Sequence, residues 1–462
     1  MNMLRMTCGE IIEATKGVLV SGSVDTEVLR VSTDSRKIAE GDLFIALEGQ
    51  RFDGHDYVQA AFEAGASAVL IHRDLEAKPE GTVIKVENTL AALRDLAGCY
   101  REKFHIPFVG ITGSVGKTST KDMVACVLAQ EYRVLKTEGN FNNEIGLPLT
   151  ILNLESYHQA AVIEMGMSGF GEISRLTAIT RPDIAIITNI GVSHIEKLGS
   201  RQNILKAKME ILEGLKEKGL VILNGDDKLL YGLKDLLKFR MVFYGTDENC
   251  DYQAYNIHTA GEAGTSFEIT IGNEDYKVFV PAPGVHNVYN ALAAIAAGLE
   301  LGIPMNKIVA GIASFVPGNM RMNIINHGGL KIINDAYNAS PQSMEAAISV
   351  LKDISMGNRR TVAVLGDMLE MGEWAYDAHY NVGRYAALKG IDYIFTVGSH
   401  GKAIAKGALE SGFDADRLFS FDDNASLKSF LEGFVKNGDI VLVKGSRGMK
   451  MEEIIHRLTG ET

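Results

Sequence analysis

The 462-residue sequence has few cysteines, no long uncharged apolar run and no excess of basic residues. Cys8, Cys99, Cys126 and Cys250 lie far apart and form no Cys-x-x-Cys pair, so neither a zinc site nor a disulfide framework is signalled. Buried free thiols are expected. The opening MNMLRMTCGEIIEATKG carries Glu10 and Glu13 inside its apolar portion, which argues against a secretory signal, and no apolar run approaches membrane-spanning length. A cytoplasmic protein without stable membrane insertion is expected. The formal net charge of −12 gives no bulk attraction for nucleic-acid phosphates, so no nucleic-acid partner is expected, although a local anion pocket stays open.

What is present describes a folded, multidomain chain. Hydrophobic residues make up 46% and charged residues 23%, with no low-complexity tract or short internal repeat. The length suits two to four domains of roughly 100 to 200 residues each, and the pattern favours three. In the first block, apolar runs at Leu43–Leu47 and Ala68–Ile71 flank a helical pattern over Tyr57–Ala64. From Pro107 onward strands alternate with helices through FVGIT, AAVIEM, DIAIITNI and GLVILN, which predicts a parallel sheet covered on both faces. After Pro317-Gly318 the alternation restarts with LKIINDAYNASP, TVAVLGDM, DYIFTVG and DIVLVKGS. The expected fold is therefore α/β in three parts. These are a small α/β N-terminal domain over 1–105, a central P-loop parallel-sheet ATPase domain over 106–317, and a C-terminal Rossmann-like doubly wound domain over 318–462.

The sharpest signal is FVGITGSVGKTSTKDMVA at 108–125. A phosphate loop needs a glycine separated by four residues from Gly-Lys-Ser/Thr, yet that slot holds Ile111 and the glycines stand at Gly110, Gly113 and Gly116. Strand, loop and helix nevertheless fall in the required order, with amide groups at a helix N-terminus aimed at an anion. Gly113, Ser114, Gly116, Lys117, Thr118 and Ser119 are the expected nucleotide-binding residues, Lys117 on the β- and γ-phosphates and the Thr118 hydroxyl on Mg²⁺. Glu164 ends the strand AAVIE and His194 follows DIAIITN, both at the carboxyl edge where open α/β sheets bind ligands. In a helix predicted from Ser200, Lys208 shares the face of Ile204, Ile211 and Leu212, whereas Lys206 neighbours Gln202, Asn203 and Glu210. An ammonium turned inward loses solvation, which lowers its pKa and leaves a reactive amine; a lysine that snorkels outward is the plainer alternative.

Together GITGSVGKTSTK, TEGNFNNEIGLPLTIL, VIEMGMSGFGEI, TNIGVSHIEKLGS and KAKMEI resemble the Mur ligase family over nearly the whole chain. Ser114 stands where that family usually has Thr, which leaves the backbone cradle intact. The resemblance implies an ATP-dependent ligase that activates a carboxylate as an acyl phosphate and then joins it to an amine. It implies ATP and two Mg²⁺ ions, held by Thr118, Glu164, His194 and a Lys208 carbamylated by CO₂. Lys117, Glu164, His194 and Lys208 are the implied catalytic set.

The resemblance also implies that Asn287 and Asn290 meet adenine while Arg321 and Asp335 reach phosphate and ribose. Thr33, Asp34, Ser35, Arg36, Gly54 and His55 match the family's uridine-diphosphate segment, and Asn140, Asn142 and Asn143 the sugar-peptide channel. Tyr337 and Asn338 belong to the third block, whose DAYNASP, GDMLEMGE and VGSHG segments lack the Asp-Tyr-Ala-His-Thr-Pro and Asp-x-Pro-Arg patterns of the diamino acid-adding members. The implied substrates are UDP-N-acetylmuramoyl-tripeptide and D-alanyl-D-alanine, and a monomer is expected. Lys444–Arg447 receives no role. Three alternatives stay open at this point: a diamino acid-adding or folate polyglutamating ligase, a P-loop regulator that binds nucleotide without forming a bond, and a scaffold that kept the fold.

Overall fold

The computed structural model describes residues 3–49, 52–75 and 80–460. The chain divides into two compact units. The first comprises Met1–Thr112, Glu131–Ala185 and Met209–Leu220; the second comprises Gly113–Gln130, Ile186–Lys208 and Val221–Thr462.

In the first unit a five-stranded sheet has the order Val18–Ser21, Thr82–Lys85, Ala68–Ile71, Asp42–Ile45, Arg30–Ser32. Its first pair is antiparallel and the rest are parallel. The predicted helix is Val58–Glu63, entered through a 3-10 turn at Gly54–Tyr57. Phe44, Ala46, Val58, Ala61, Val69 and Ile71 form a core beneath it. A second ladder in this unit is wholly parallel. Val134–Lys136 pairs with Ala160–Glu164, which pairs with Phe108–Thr112. Every residue of the last two strands is buried, so their sequences are continuous apolar runs without alternation. Ile111 lies opposite Glu164 in this register, and the slot of the missing glycine is thus core strand.

The strands Ile184–Ile187 and Leu220–Asn224 each carry the chain from the first unit into the second. In the second unit the helix Lys117–Leu128 packs beside His286–Glu300 and Met305–Ala313. A methyl group on Gly311 would stand 2.7 Å from the Val127 Cα, so only glycine allows this helix approach. Tyr255–Thr259, Thr265–Ile271 and Glu274–Val280 make an antiparallel meander, which the alternation of strands and helices did not foretell.

The C-terminal sheet has the order Asn323–His327, Leu330–Asp335, Ile440–Lys444, Thr361–Gly366, Tyr393–Val397, Leu418–Phe421. Its first pair is an antiparallel hairpin and the others are parallel. The four strands predicted there all form. The last strand in sequence is inserted between the second and the third, which sets Lys444 beside Asp335 at the carboxyl ends. Such ends are where ligands of doubly wound sheets bind. Phe395 stacks on Phe419 with ring centroids 5.0 Å apart, and Phe434 meets both rings edge-on. Cys8 is buried while Cys99, Cys126 and Cys250 are half-buried, and all four are free thiols. Among the described residues no helix is long and apolar enough to cross a membrane.

Candidate active site

The phosphate loop closes on the segment 188–193, a partnership that sequence spacing missed. Gly113 has φ +151°, and a Cβ there would fall 1.8 Å from Thr188 Oγ1. Thr188 Oγ1 donates to Val115 O at 2.6 Å and Asn189 Nδ2 donates to the same oxygen at 2.9 Å. Val115 N donates to Asn189 Oδ1, and Ser114 N to Asn189 O. Ser114 Oγ accepts from Gly191 N at 2.9 Å, so serine does what a threonine hydroxyl would do here. Gly116, at φ +86°, turns the chain into the helix that starts at Lys117. Lys117 Nζ folds over the loop to Gly113 O at 2.8 Å. Thr118 and Ser119 are half-buried in the first helical turn, the end of a helix whose dipole favours an anion.

Lys208 is buried, at 2% exposure, and Ile204 shares its face while Lys206 is exposed. This is the orientation expected from the sequence, although the helix Arg201–Met209 is shorter than predicted and tightens into a 3-10 turn before Ile211 and Leu212. Burial pushes the Lys208 pKa well below its ordinary value, and Lys117 pushes the same way. His194 has φ +63° and places Nδ1 2.5 Å from Glu370 Oε2, without the alignment of a hydrogen bond. Burial lowers the His194 pKa; Glu370 opposes that shift, and Lys117 and Lys208 add to it. Lys117, His194 and Lys208 are therefore brought together.

Asn287 and Asn290 are buried and bound to each other, Asn290 Nδ2 to Asn287 Oδ1 at 3.0 Å. Asn287 Nδ2 also donates to Pro283 O, and Asn290 Oδ1 accepts from Thr120 Oγ1 at 2.9 Å. The pair thus ties the P-loop helix to His286–Glu300. The Arg321 guanidinium lies 4.2 Å over the Tyr337 ring. Asp335 Oδ1 accepts from Met322 N, and Lys444 Nζ meets both Asp335 Oδ2 and Asn338 O. Lys444, left without a role by the sequence, is the buried centre of this cluster.

In the first unit Glu164 is buried at the end of its strand. Asn142 Nδ2 donates to Glu164 Oε1 at 2.7 Å, and Thr137 Oγ1 accepts from Glu164 N. Asn143 Oδ1 accepts from Ile145 N and Gly146 N, serving as a local cap. Asn140 is exposed. In the N-terminal sheet Thr33, Asp34 and Ser35 are half-buried, and Asp34 takes a two-pronged bond from the exposed Arg36, at 2.8 and 2.9 Å. The Arg36 hydrogen bonds hold the Asp34 carboxyl down at about 2. Gly54 is buried. His55 is buried with Nδ1 2.6 Å from Asp53 Oδ1 and Nε2 accepting from His72 N. Both its ring nitrogens are engaged by the protein, which makes it an internal strut of its loop.

Among the described residues no three His, Cys, Asp or Glu side chains gather into a self-sufficient metal centre. Beside the phosphate loop the second unit offers few donors, the Thr118 hydroxyl and the His194 imidazole. That chemistry fits an ion completing its shell with nucleotide phosphates, as Mg²⁺ does.

Three family models match the chain. They are the Mur ligase family, catalytic domain, over residues 27–101, the Mur ligase middle domain over 111–298, and the Mur ligase, glutamate ligase domain, over 320–447. Among curated relatives, the UDP-N-acetylmuramoyl-tripeptide–D-alanyl-D-alanine ligase of Bacillus subtilis is 44% identical over 99% of both chains. Its Escherichia coli counterpart is 36% identical over 99% of both. Among solved structures, MurF of Acinetobacter baumannii superposes with a TM-score of 0.92 at 32% identity, covering 99% of each chain. MurF ligase of Thermotoga maritima in complex with ADP gives 0.82 at 30% identity, covering 94% of this chain and 97% of that one. Matched by three successive family models and by relatives similar over their full length, the chain belongs to the Mur ligase family.

Proposed function

We propose that this chain joins D-alanyl-D-alanine to UDP-N-acetylmuramoyl-tripeptide at the expense of ATP, releasing ADP and phosphate, in the making of peptidoglycan precursors. The observation that carries the reading is the gathering of Lys117, His194 and buried Lys208 at a braced phosphate loop. The curated relatives of that name, similar over their full length, support the choice of substrates.

Joining a carboxylate to an amine in water is uphill, so the terminal carboxylate of the tripeptide first takes the γ-phosphoryl group of ATP. The amine of D-alanyl-D-alanine then attacks the acyl carbon, and phosphate leaves. Both steps crowd negative charge between phosphate and carboxylate, where cations and fixed dipoles lower the barrier more than a protein nucleophile would. Lys117 and the helix N-terminus supply that field at the phosphates. Two Mg²⁺ ions would be held by Thr118, Glu164, His194 and Lys208, and when bound they neutralise phosphoryl charge. Lys208 is suited to carbamylation, since desolvation and the neighbouring Lys117 both favour the neutral amine, the form that adds CO₂. The nitrogen adds to the carbon of CO₂ and gives up one proton, which leaves a carbamate anion in place of a neutral amine.

On this reading Gly113, Ser114, Gly116 and Ser119 cradle phosphate, Asn287 and Asn290 form the adenine end, and Arg321 and Asp335 reach ATP from the C-terminal segment. Thr33, Asp34, Ser35 and Arg36 take the uridine diphosphate on the loop shaped by Gly54 and His55. Asn140, Asn142 and Asn143 line the path of the sugar-peptide, and Tyr337 and Asn338 that of the dipeptide. The three domains are assigned to 1–105, 106–317 and 318–462, in a monomeric cytoplasmic enzyme that neither enters a membrane nor binds nucleic acid. An ATP-coupled assay over acceptor and donor pairs tests the reading. ADP release should require both the tripeptide nucleotide and D-alanyl-D-alanine; release supported instead by lysine, diaminopimelate or glutamate would overturn it.

A further inference from the structure

The loop 367–374 spends unusual effort on holding one carboxylate in place. Met368 N donates to Nε2 of the fully buried His379 at 2.8 Å, and His379 Nδ1 lies 2.6 Å from Ala375 O. Leu369 N donates to Ser446 Oγ at 2.9 Å, while Ser446 N donates back to Asp367 O. Asp367 in turn accepts from Ser399 Oγ and His400 N. Between these anchors Glu370 adopts φ +62°, a left-handed conformation that a glutamate rarely takes. Its neighbour Gly372 supplies such a turn without strain, at φ +52°. The strained residue is the one whose carboxylate meets His194, with Oε2 2.5 Å from Nδ1. Glu196 N donates to Glu370 O, which ties the backbones of the two loops together.

We infer that Glu370 is a positioning residue for His194: its carboxylate accepts a hydrogen bond from Nδ1–H, fixes the imidazole tautomer and ring plane, and leaves Nε2 as the nitrogen that serves the reaction. The inference rests on the ligase reading above. An imidazole that serves a cation or a phosphate commonly gives its other N–H to a carboxylate, which fixes the ring and raises its basicity. The terminal torsion of a glutamate is broad, so the carboxylate can swing into line with Nδ1 from where it stands. A pinned loop with strain at a single non-glycine residue is the arrangement expected where position matters more than local comfort. Because the carboxylate is half exposed, fold stability gives little reason to hold it so.

The variants Glu370→Gln, Glu370→Ala and Glu370→Gly distinguish positioning from architecture. Gln keeps an acceptor oxygen but no charge, Ala removes the acceptor, and Gly removes it while relieving the backbone. In steady-state ligation kcat should fall about 10- to 100-fold for Ala and Gly, and less for Gln, with KM for ATP little changed. The melting temperature of the Gly variant should equal or exceed that of the wild type. A second readout avoids turnover: Mn²⁺ titrated into the enzyme with ADP and followed by electron paramagnetic resonance should show ions bound about 10-fold more weakly in the Ala variant. If Gly or Ala keeps wild-type kcat and Mn²⁺ affinity, Glu370 does not position His194. If the wild type itself releases no ADP with its two substrates, the ligase reading has failed instead.

Discussion

Nζ of Lys444 lies 2.5 Å from Oδ2 of Asp335, on neighbouring parallel strands that hold the two residues directly opposite each other. The lysine side chain is 2% exposed. Its charge is balanced by that carboxylate and by Asn338 O. Removing one partner of such a pair strands a buried charge, at a cost of about 3–5 kcal/mol. Lys444→Met should therefore destabilise the protein by about that much in urea unfolding, and adding Asp335→Asn should restore a large part. A double variant no more stable than the single one would show that the pair is not coupled.

Lys208 makes opposite predictions for stability and activity. Its depressed pKa means that the unfolded chain binds a proton that the folded chain gives up, so near neutral pH its burial opposes folding, and the penalty fades as pH rises toward its ordinary value of 10.5. Lys208→Met keeps the volume and removes the penalty. Its melting temperature at pH 7 should rise by a few degrees while ligation falls by at least about 100-fold. Short carboxylic acids should restore part of the activity of Lys208→Ala, because they replace the carbamate anion. Ligation undiminished in both variants would refute the assignment.

Gly113 is the position where the phosphate loop tolerates least. Gly113→Ala places a methyl carbon 1.8 Å from Thr188 Oγ1, at a φ of +151° that alanine resists. ADP affinity by calorimetry should fall at least about 10-fold, some 1.4 kcal/mol. Adding Thr188→Ala makes room but leaves the backbone strained, and should recover only part of the loss. Unaltered ADP binding by Gly113→Ala would mean that the loop does not hold the nucleotide.

His286 gives the fold an acid-side weakness. Burial holds its pKa at about 4 against an ordinary 6.5, with Lys444 pushing the same way and Asp335 opposing. Below pH 6.5 the unfolded chain takes up a proton that the folded one refuses until about pH 4, so this stability is present above pH 6.5 and lost as pH falls through that window. Between pH 7 and pH 5 the loss is about 2 kcal/mol at most, less to the extent that the ring meets water. His286→Asn should flatten the difference by about that amount in denaturant titrations at the two pH values. Equal acid sensitivity of both proteins would place the weakness elsewhere.

Much of the architecture can be read from the sequence because periodicity reports burial directly. The strands AAVIE, TVAVLG and IVLVK are fully buried, and a strand covered on both faces runs apolar along its length, polar only at an end where Glu164, Thr361 or Lys444 finds a partner. Lys208 could be turned inward from the chain alone because a helix fixes which neighbours share a face. The meander at 255–280 escaped because Thr265–Ile271 and Glu274–Val280 alternate buried with less buried residues, a weaker signal than the continuous apolar runs of the parallel strands.

The sequence by itself determined the phosphate loop, the helix that follows it, the parallel strands and the inward lysine, because these follow from local conformation and from the spacing of apolar residues. The tertiary structure alone decided that Thr188 and Asn189 brace the loop, that Glu370 meets His194 and that Lys444 faces Asp335. These partners lie 73, 176 and 109 residues apart or thereabouts, and only the order of strands and the path of the loops brings them together.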